Sequence, residues 1–444
     1  MAETMPARAA KQPTRPIAFV NARLIDPETG YDGPGGLLAR DGLILDSGAA
    51  IRADGLAADF ETVDCAGNCL APGLVDLRVQ LREPGEEHKE TIASGTAAAA
   101  AGGVTSMVCL PNTDPVIDDV AAVEFIARRA RENRRSKVYC YGAITRRLEG
   151  QDLVEFGMLA ESGALAFTDG LSAIADARVM LRAMKYATAF DLLIVQHPEE
   201  PALARNGAMN AGELATRLGL GGIPPAAEVM MIERDLHLLA MVRGRYHVGH
   251  VSTAAAVDAI RRAKANGIPI TCDTAPHYFA LDENEVGEYR TFAKVSPPLR
   301  RDIDRAAIAE GIADGTIDCI ASDHAPHDQD SKRVPFAHAA AGVIGLETLL
   351  PVSLELMHRD RIDLVGLFRR LALAPADLMR LPQGRLRKGT PADLVLFDPH
   401  AAWQVDPAKM HSKSKNSAFD GRPVQGRVLR TVVDGRIVFE ATAH

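Results

Sequence analysis

The chain has 444 residues, 47% of them hydrophobic and 24% charged. That is the balance of a soluble globular protein, and it allows two or three ordinary domains or one large barrel with an accessory domain. The formal net charge of -8 argues against a nucleic-acid surface, and no apolar run approaches the roughly 18 residues that a membrane span needs.

Residues 1–15 are polar and alanine-rich and lack the apolar stretch of a signal peptide, so a disordered tail and a cytoplasmic location are expected. From residue 16 to 70 the pattern is of short strands: Ile17 to Ile25, Gly36 to Ala39 and Leu43 to Leu45, with turn residues between Asp26 and Gly30. The far end of the chain, 385–444, reads the same way. Ala392 to Asp398 and Thr431 to Phe439 are strand-like, and Asp434-Gly435 is a hairpin turn signal. Neither end is large enough for a core of its own, and together they are expected to form one β-sandwich.

Between them, over 71–384, strand and helix patterns alternate. Eight apolar runs stand out: 74–80, 104–110, 138–143, 164–168, 192–196, 246–250, 268–273 and 317–322. Helical patterns separate most of them, among them 120–133, 176–190, 226–243 and 253–266. Apolar strands alternating with helices indicate a parallel sheet with both faces covered. Eight such units predict an α/β fold of the (β/α)8 TIM-barrel type. An open doubly wound sheet is the alternative, but no glycine-rich dinucleotide fingerprint follows an early strand.

The six cysteines are Cys65, Cys69, Cys109, Cys140, Cys272 and Cys319. Four lie in apolar strand-like runs, which points to buried free thiols in a reducing compartment. Cys65 and Cys69 lack the second pair or nearby histidine that a zinc site requires. The basic run from Arg128 to Arg135 reads as a solvated helix end whose cations suit a helix carboxyl terminus.

In a barrel of this type the active site lies at the carboxyl ends of the strands, and there the polar residues of this chain recur. Asn112 follows the second run, Asp169 the fourth and His197 the fifth. His250 closes the sixth, His277 follows the seventh, and Asp323, His324 and His327 follow the eighth. Imidazole with carboxylate at open positions is the usual chemistry of hydrolytic zinc. At the end of the first run, Arg78 and Gln80 are two residues apart and share one face of the strand, with Arg82 just beyond.

Pro72-Gly73-Leu74-Val75-Asp76, Leu81-Arg82-Glu83-Pro84-Gly85, Lys89-Glu90-Thr91 and Pro111-Asn112-Thr113 resemble the opening of a type I dihydroorotase, of the amidohydrolase superfamily. The resemblance runs on through the stretch from Thr316 to His327, Gly345 to Thr348 and Ser414 to Gly421. It implies a barrel with a β-sandwich built from both termini. It also implies interconversion of N-carbamoyl-L-aspartate and dihydroorotate in de novo pyrimidine biosynthesis. Carried over by position, Asp169, His197 and His250 are expected as ligands of one zinc, the β metal. Asp323 is expected as the catalytic proton carrier. Arg82, Asn112 and His327 are expected to hold the substrate carboxylate, as hydrogen-bond donors. A homodimer is expected as well.

The departures from the family pattern are specific. Arg78 and Gln80 stand where the family has the two histidines of a His-x-His pair, ligands of the second metal. Arginine stays protonated and offers no lone pair, so at most one metal is expected. Arg78 is expected to pair with Asp323 or Asp169, restoring positive charge and lowering the Asp323 pKa. Thr168-Asp169-Gly170 also carries one acid where two are usual. Three readings follow. The first is a dihydroorotase with one metal. The second is a catalytically silent homologue serving as structural partner of aspartate transcarbamoylase. The third is a hydrolase of another cyclic amide, such as a hydantoinase or allantoinase.

Overall fold

The computed structural model describes residues 15–442. The tail expected over residues 1–15 lies, apart from Arg15, outside them. The strands expected in the middle of the chain form one eight-stranded parallel sheet in sequential order. They are β1 (Leu74–Val79), β2 (Val104–Cys109), β3 (Lys137–Gly142), β4 (Ala164–Phe167), β5 (Leu193–Gln196), β6 (Arg245–Val248), β7 (Ile270–Thr274) and β8 (Cys319–Ile320). A parallel bridge between Val79 and His324 joins the last strand's end to the first, so the sheet closes into a barrel.

The helices form where capping residues and apolar spacing agree. In α1 (Ile92–Ala101), Thr91 and Ser94 make a reciprocal capping box. In α2 (Val120–Asn133), Asp119 accepts from the Ala122 amide, and Val123 and Ile126 face inward. In α3 (Phe156–Ser162), Gly163 ends the helix in the left-handed conformation. A cluster including Val75, Val108, Tyr141, Ala166, Val195 and Cys319 gathers side chains from strands around the barrel. Ala376, Met379 and Leu381 join it. The barrel is therefore packed, and the active site of such a barrel lies at the carboxyl ends of its strands.

The two chain ends meet as expected. Strands Ile17–Asp26, Tyr31–Arg40, Leu43–Gly48, Glu61–Asp64 and Cys69–Pro72 pair with Leu394–Gln404, Pro423–Val433 and Arg436–Glu440 in one mixed eight-stranded sheet. Its core includes Phe19, Leu24, Leu37, Ile44, Leu70 and Leu394. All six cysteines are free and buried, and burial pushes the Cys65 and Cys140 thiols up to about 12. Among the described residues no helix is long and apolar enough to cross a membrane.

Candidate active site

The backbone turns sharply where the barrel strands end, and those turns aim the polar side chains. Arg82, His250 and Asp323 all have positive φ, at 59°, 39° and 50°. For residues other than glycine this is uncommon and concentrates at functional sites. Asp76, buried in β1, accepts from the amides of Arg78 and Ser322 through one oxygen. It thereby ties the first strand to the turn that carries Asp323. Burial raises its pKa to about 6.

Of the two carboxylates expected for Arg78, the structure pairs it with Asp323. Arg78 Nε donates to Asp323 Oδ1 at 2.8 Å, and both side chains are buried. Nη2 donates to the Gly170 carbonyl at 3.3 Å, while Nη1, which makes no hydrogen bond among the described residues, lies near Gly249. The expected fall in the Asp323 pKa is not what results. Burial raises it, and the guanidinium offsets only part of that. Two imidazoles flank the same carboxylate. His250 Nδ1 is 3.9 Å from Oδ1 and His277 Nε2 is 3.8 Å from Oδ2. Both nitrogens are buried without hydrogen-bond partners. Burial first, and then the Arg78 charge, hold His277 down at about 3 and His250 well below its ordinary value, so both are neutral.

His197 and His250, two of the three expected zinc ligands, are together: His197 Nδ1 and His250 Nε2 share a hydrogen bond of 2.6 Å. Asp169, the third, is held elsewhere. Its Oδ1 accepts from the amides of Ile144 and Thr145 at 2.8 and 2.9 Å, and its Oδ2 accepts from the Thr145 hydroxyl. Burial raises its pKa to about 6 against those donors. The expected triad is therefore not assembled.

The expected carboxylate clamp is divided too. Arg82 Nη2 lies 3.2 Å from His327 Nε2, and Arg82 also donates to Pro326 O and Glu86. Asn112 instead donates to Gln80 Oε1 at 3.1 Å. Gln80 and Asn112 thus satisfy each other. His327 Nε2 lies 2.9 Å from the Ala341 carbonyl, and burial beside Arg82 lowers its pKa to about 3. A neutral ring whose one N–H points at Ala341 presents only a lone pair at Nδ1. In that tautomer it is an acceptor, not the expected donor.

Two further residues position this site. Asp273 accepts from the His250 amide at 2.7 Å and meets His247 Nε2 at 2.9 Å. Its place at the end of a predicted strand was a usable signal. Thr145 follows β3, whose end carries no acid or histidine, so nothing in its residue type marked it.

Comparison with known proteins bears on this arrangement. Residues 67–256 match the family profile described as "Dihydro-orotase-like". The chain is 47% identical over 428 residues to a dihydroorotase of Anaplasma phagocytophilum, covering 96% of this chain and 95% of that protein. It belongs to the dihydroorotase family. A dihydroorotase of Desulforapulum autotrophicum is 46% identical over 96% of this chain and 99% of its own length. Among solved structures, an L-hydantoinase from Arthrobacter aurescens superposes with a TM-score of 0.86 at 25% identity, covering 96% of each chain. A dihydropyrimidinase from Brevibacillus agri gives 0.83 at 21% identity, covering 96% of this chain and 95% of that one, and shares the fold.

Within this dihydroorotase-family site, the donors present do not fit the metal that the resemblance implies. Asp169 is engaged by three donors, the two histidines are bonded to each other, and a guanidinium lies against Asp323. Among the described residues no three His, Cys, Asp or Glu side chains are grouped so that they could hold a metal ion.

Proposed function

We propose that this chain acts on the dihydroorotase substrate pair, N-carbamoyl-L-aspartate and dihydroorotate, with Arg78 supplying positive charge at the reacting end of the site. The observation that carries the reading is the Arg78–Asp323 pair at 2.8 Å, at the same barrel mouth as Arg82 and His327. Full-length identity to dihydroorotases supports the substrate class.

In ring opening, water adds to the ring amide carbonyl carbon. Asp323, whose pKa burial raises against the pull of Arg78, takes the proton from that water. It returns the proton to the ring nitrogen as the carbon–nitrogen bond breaks. Arg78 Nη1, with no protein partner, donates to the carbonyl oxygen as negative charge builds on it. Burial and the Arg78 charge hold His250 and His277 well below their ordinary range, so neither competes with Asp323 for that proton. Arg82 pairs with the substrate carboxylate. Zinc chemistry at Asp169, His197 and His250 is assigned no step, because these side chains are not grouped to hold a metal ion. Stoichiometric zinc in the purified chain by elemental analysis would overturn the role given to Arg78. The homodimer belongs to this proposal as well.

A second reading is favoured by the same pair. A carboxylate already bound to a buried guanidinium is a poor proton carrier, and a silent homologue that serves aspartate transcarbamoylase as a structural partner would have that feature. Dihydroorotate ring opening by the purified chain decides between them. Turnover that falls by roughly 10²–10⁴-fold in Asp323→Asn, the usual contribution of a general acid–base, supports the enzyme. Wild-type turnover no higher than that of the variant sinks it and leaves the partner role, which co-purification with aspartate transcarbamoylase then tests.

A further inference from the structure

Outside the barrel mouth lies a cavity of about 650 Å³, at the opposite, amino-terminal end of β3 and β4. That volume is in the range of small-molecule pockets. Val123, Ile126, Ala127 and Ala130 of α2 form one wall, Val138 and Leu165 a second, and Val433 of the terminal β domain a third. Gly163 opens the floor: a Cβ there would meet only Val123, at 4.0 Å.

The rim carries four cationic side chains against the two carboxylates of Asp41 and Asp434. Arg131, Arg134 and Arg436 line it. Among the described residues the side chains of Arg131 and Arg436 have no carboxylate partner, and Arg134 makes only a bond to the Arg131 carbonyl. Lys137, also on the wall, is already paired with Asp393 and Asp434. The basic run at the end of α2 is therefore not merely a solvated helix end, because two of its arginines converge with a third from a distant part of the chain. Inside, Ser136 also lines the cavity. It is 2% exposed, and its hydroxyl is buried without a hydrogen-bond partner. A buried hydroxyl without a partner is costly, and a ligand would satisfy it.

The geometry points to a second binding site here, for a small amphipathic anion: an apolar, ring-sized body against the α2 and β3 walls, a polar atom at Ser136 Oγ, and a carboxylate, sulfonate or phosphate head at Arg131, Arg134 and Arg436. Apolar walls bind the body without direction, and guanidinium forks select the planar or tetrahedral anion. The site is independent of the barrel-mouth reading and stands whether or not that mouth turns over substrate.

Fluorescent titration of the full chain tests it, with anilinonaphthalene sulfonate as the anion and phenylnaphthylamine as its neutral counterpart. The sulfonate binds saturably at one site per chain and weakens as salt screens the rim. Joint Arg131→Glu and Arg436→Glu substitution weakens the sulfonate by about tenfold or more, a loss of ~1.4 kcal/mol, and the neutral probe by less than about twofold. Ala127→Trp, which fills the cavity, removes both. Should the tryptophan variant not fold, as judged by its thermal melt, the charge-reversal pair still decides. Absence of a saturable site overturns the proposal, and so does sulfonate binding that the arginine substitutions leave unchanged.

Discussion

Asp169 and Asp323 occupy equivalent places, each just beyond the end of a barrel strand, and both are buried, at 1% and 6% exposed. Their surroundings differ. Asp169 accepts from two backbone amides and a hydroxyl, all from the turn after β3. Asp323 faces a guanidinium and two imidazole nitrogens that have no hydrogen-bond partner among the described residues, drawn from three different strand ends. The first set of donors is neutral and comes from the neighbouring strand's turn, and it makes the carboxylate a brace for that turn. The second surroundings hold one charged donor, Arg78, and two neutral rings, and make the carboxylate the centre of the mouth. Position on a barrel strand brings a residue to the site. The donors it finds there decide what it does.

The largest test of that contrast is at Arg78. Removing one member of a buried, hydrogen-bonded ion pair leaves the other charge uncompensated, so Arg78→Ala should destabilise the fold by about 3–5 kcal/mol in denaturant unfolding. Asp323→Asn in the same chain should restore much of the loss. The exposed Arg430–Glu440 pair is the control, and breaking it should cost no more than about 1 kcal/mol. A loss at Arg78 as small as at Arg430 would mean that Asp323 does not depend on the guanidinium.

Asp169 should respond more mildly. Thr145→Val removes one of its three donors, and with it the acceptor of the Gly150 amide. Hydrogen bonds to charged groups contribute roughly 1.5–3 kcal/mol, and the loss should lie there. It should shrink when Asp169→Asn is already present, because the charge that Thr145 serves is gone while the Gly150 bond is still lost. An undiminished loss in the double variant would show that Thr145 acts through Gly150 alone.

The sequence disclosed the elements far better than the side-chain partnerships. Helix 120–133 was bounded correctly because Asp119 and the Val123–Ile126 spacing are local signals. The eight barrel strands were found because a parallel sheet covered on both faces needs continuous apolar runs. Asp323 and His250 were marked as site residues by the same local logic. The division of the expected zinc triad was not legible. Whether Asp169 faces His250 or Thr145 depends on a turn whose donors are backbone amides, and amides are present at every residue but proline. The replacement of two histidine ligands by Arg78 and Gln80 was visible, and so was the need for a carboxylate partner. Choosing Asp323 over Asp169 required the geometry of the strand ends. The rim of the second cavity was hidden for another reason, since Arg436 lies some three hundred residues from Arg131 along the chain.

A smaller effect tests the frame around the clamp half of the mouth. Lys332 is buried with its ammonium on the carbonyls of Thr291, Lys294 and Ala340 and no carboxylate partner. The Ala340 bond holds the segment whose next residue, Ala341, meets His327. Burial, with Lys294 nearby, lowers the Lys332 pKa to about 7. The sign follows from proton counting. Between pH 7 and the ordinary lysine range near 10.5, the unfolded chain holds a proton on Lys332 that the folded chain has released. Folding is therefore favoured progressively as pH rises through that window, by at most about 1.4 kcal/mol per pH unit. Below pH 7 both states are protonated and the slope disappears. The difference in unfolding free energy between wild type and Lys332→Met should thus be flat below pH 7 and shift toward wild type above it. Lys294, lowered in the same direction by burial, remains in both proteins and cancels in the difference. Parallel curves for the two proteins from pH 6 to 10 would mean that the Lys332 ammonium is hydrated and does not brace the segment that orients His327.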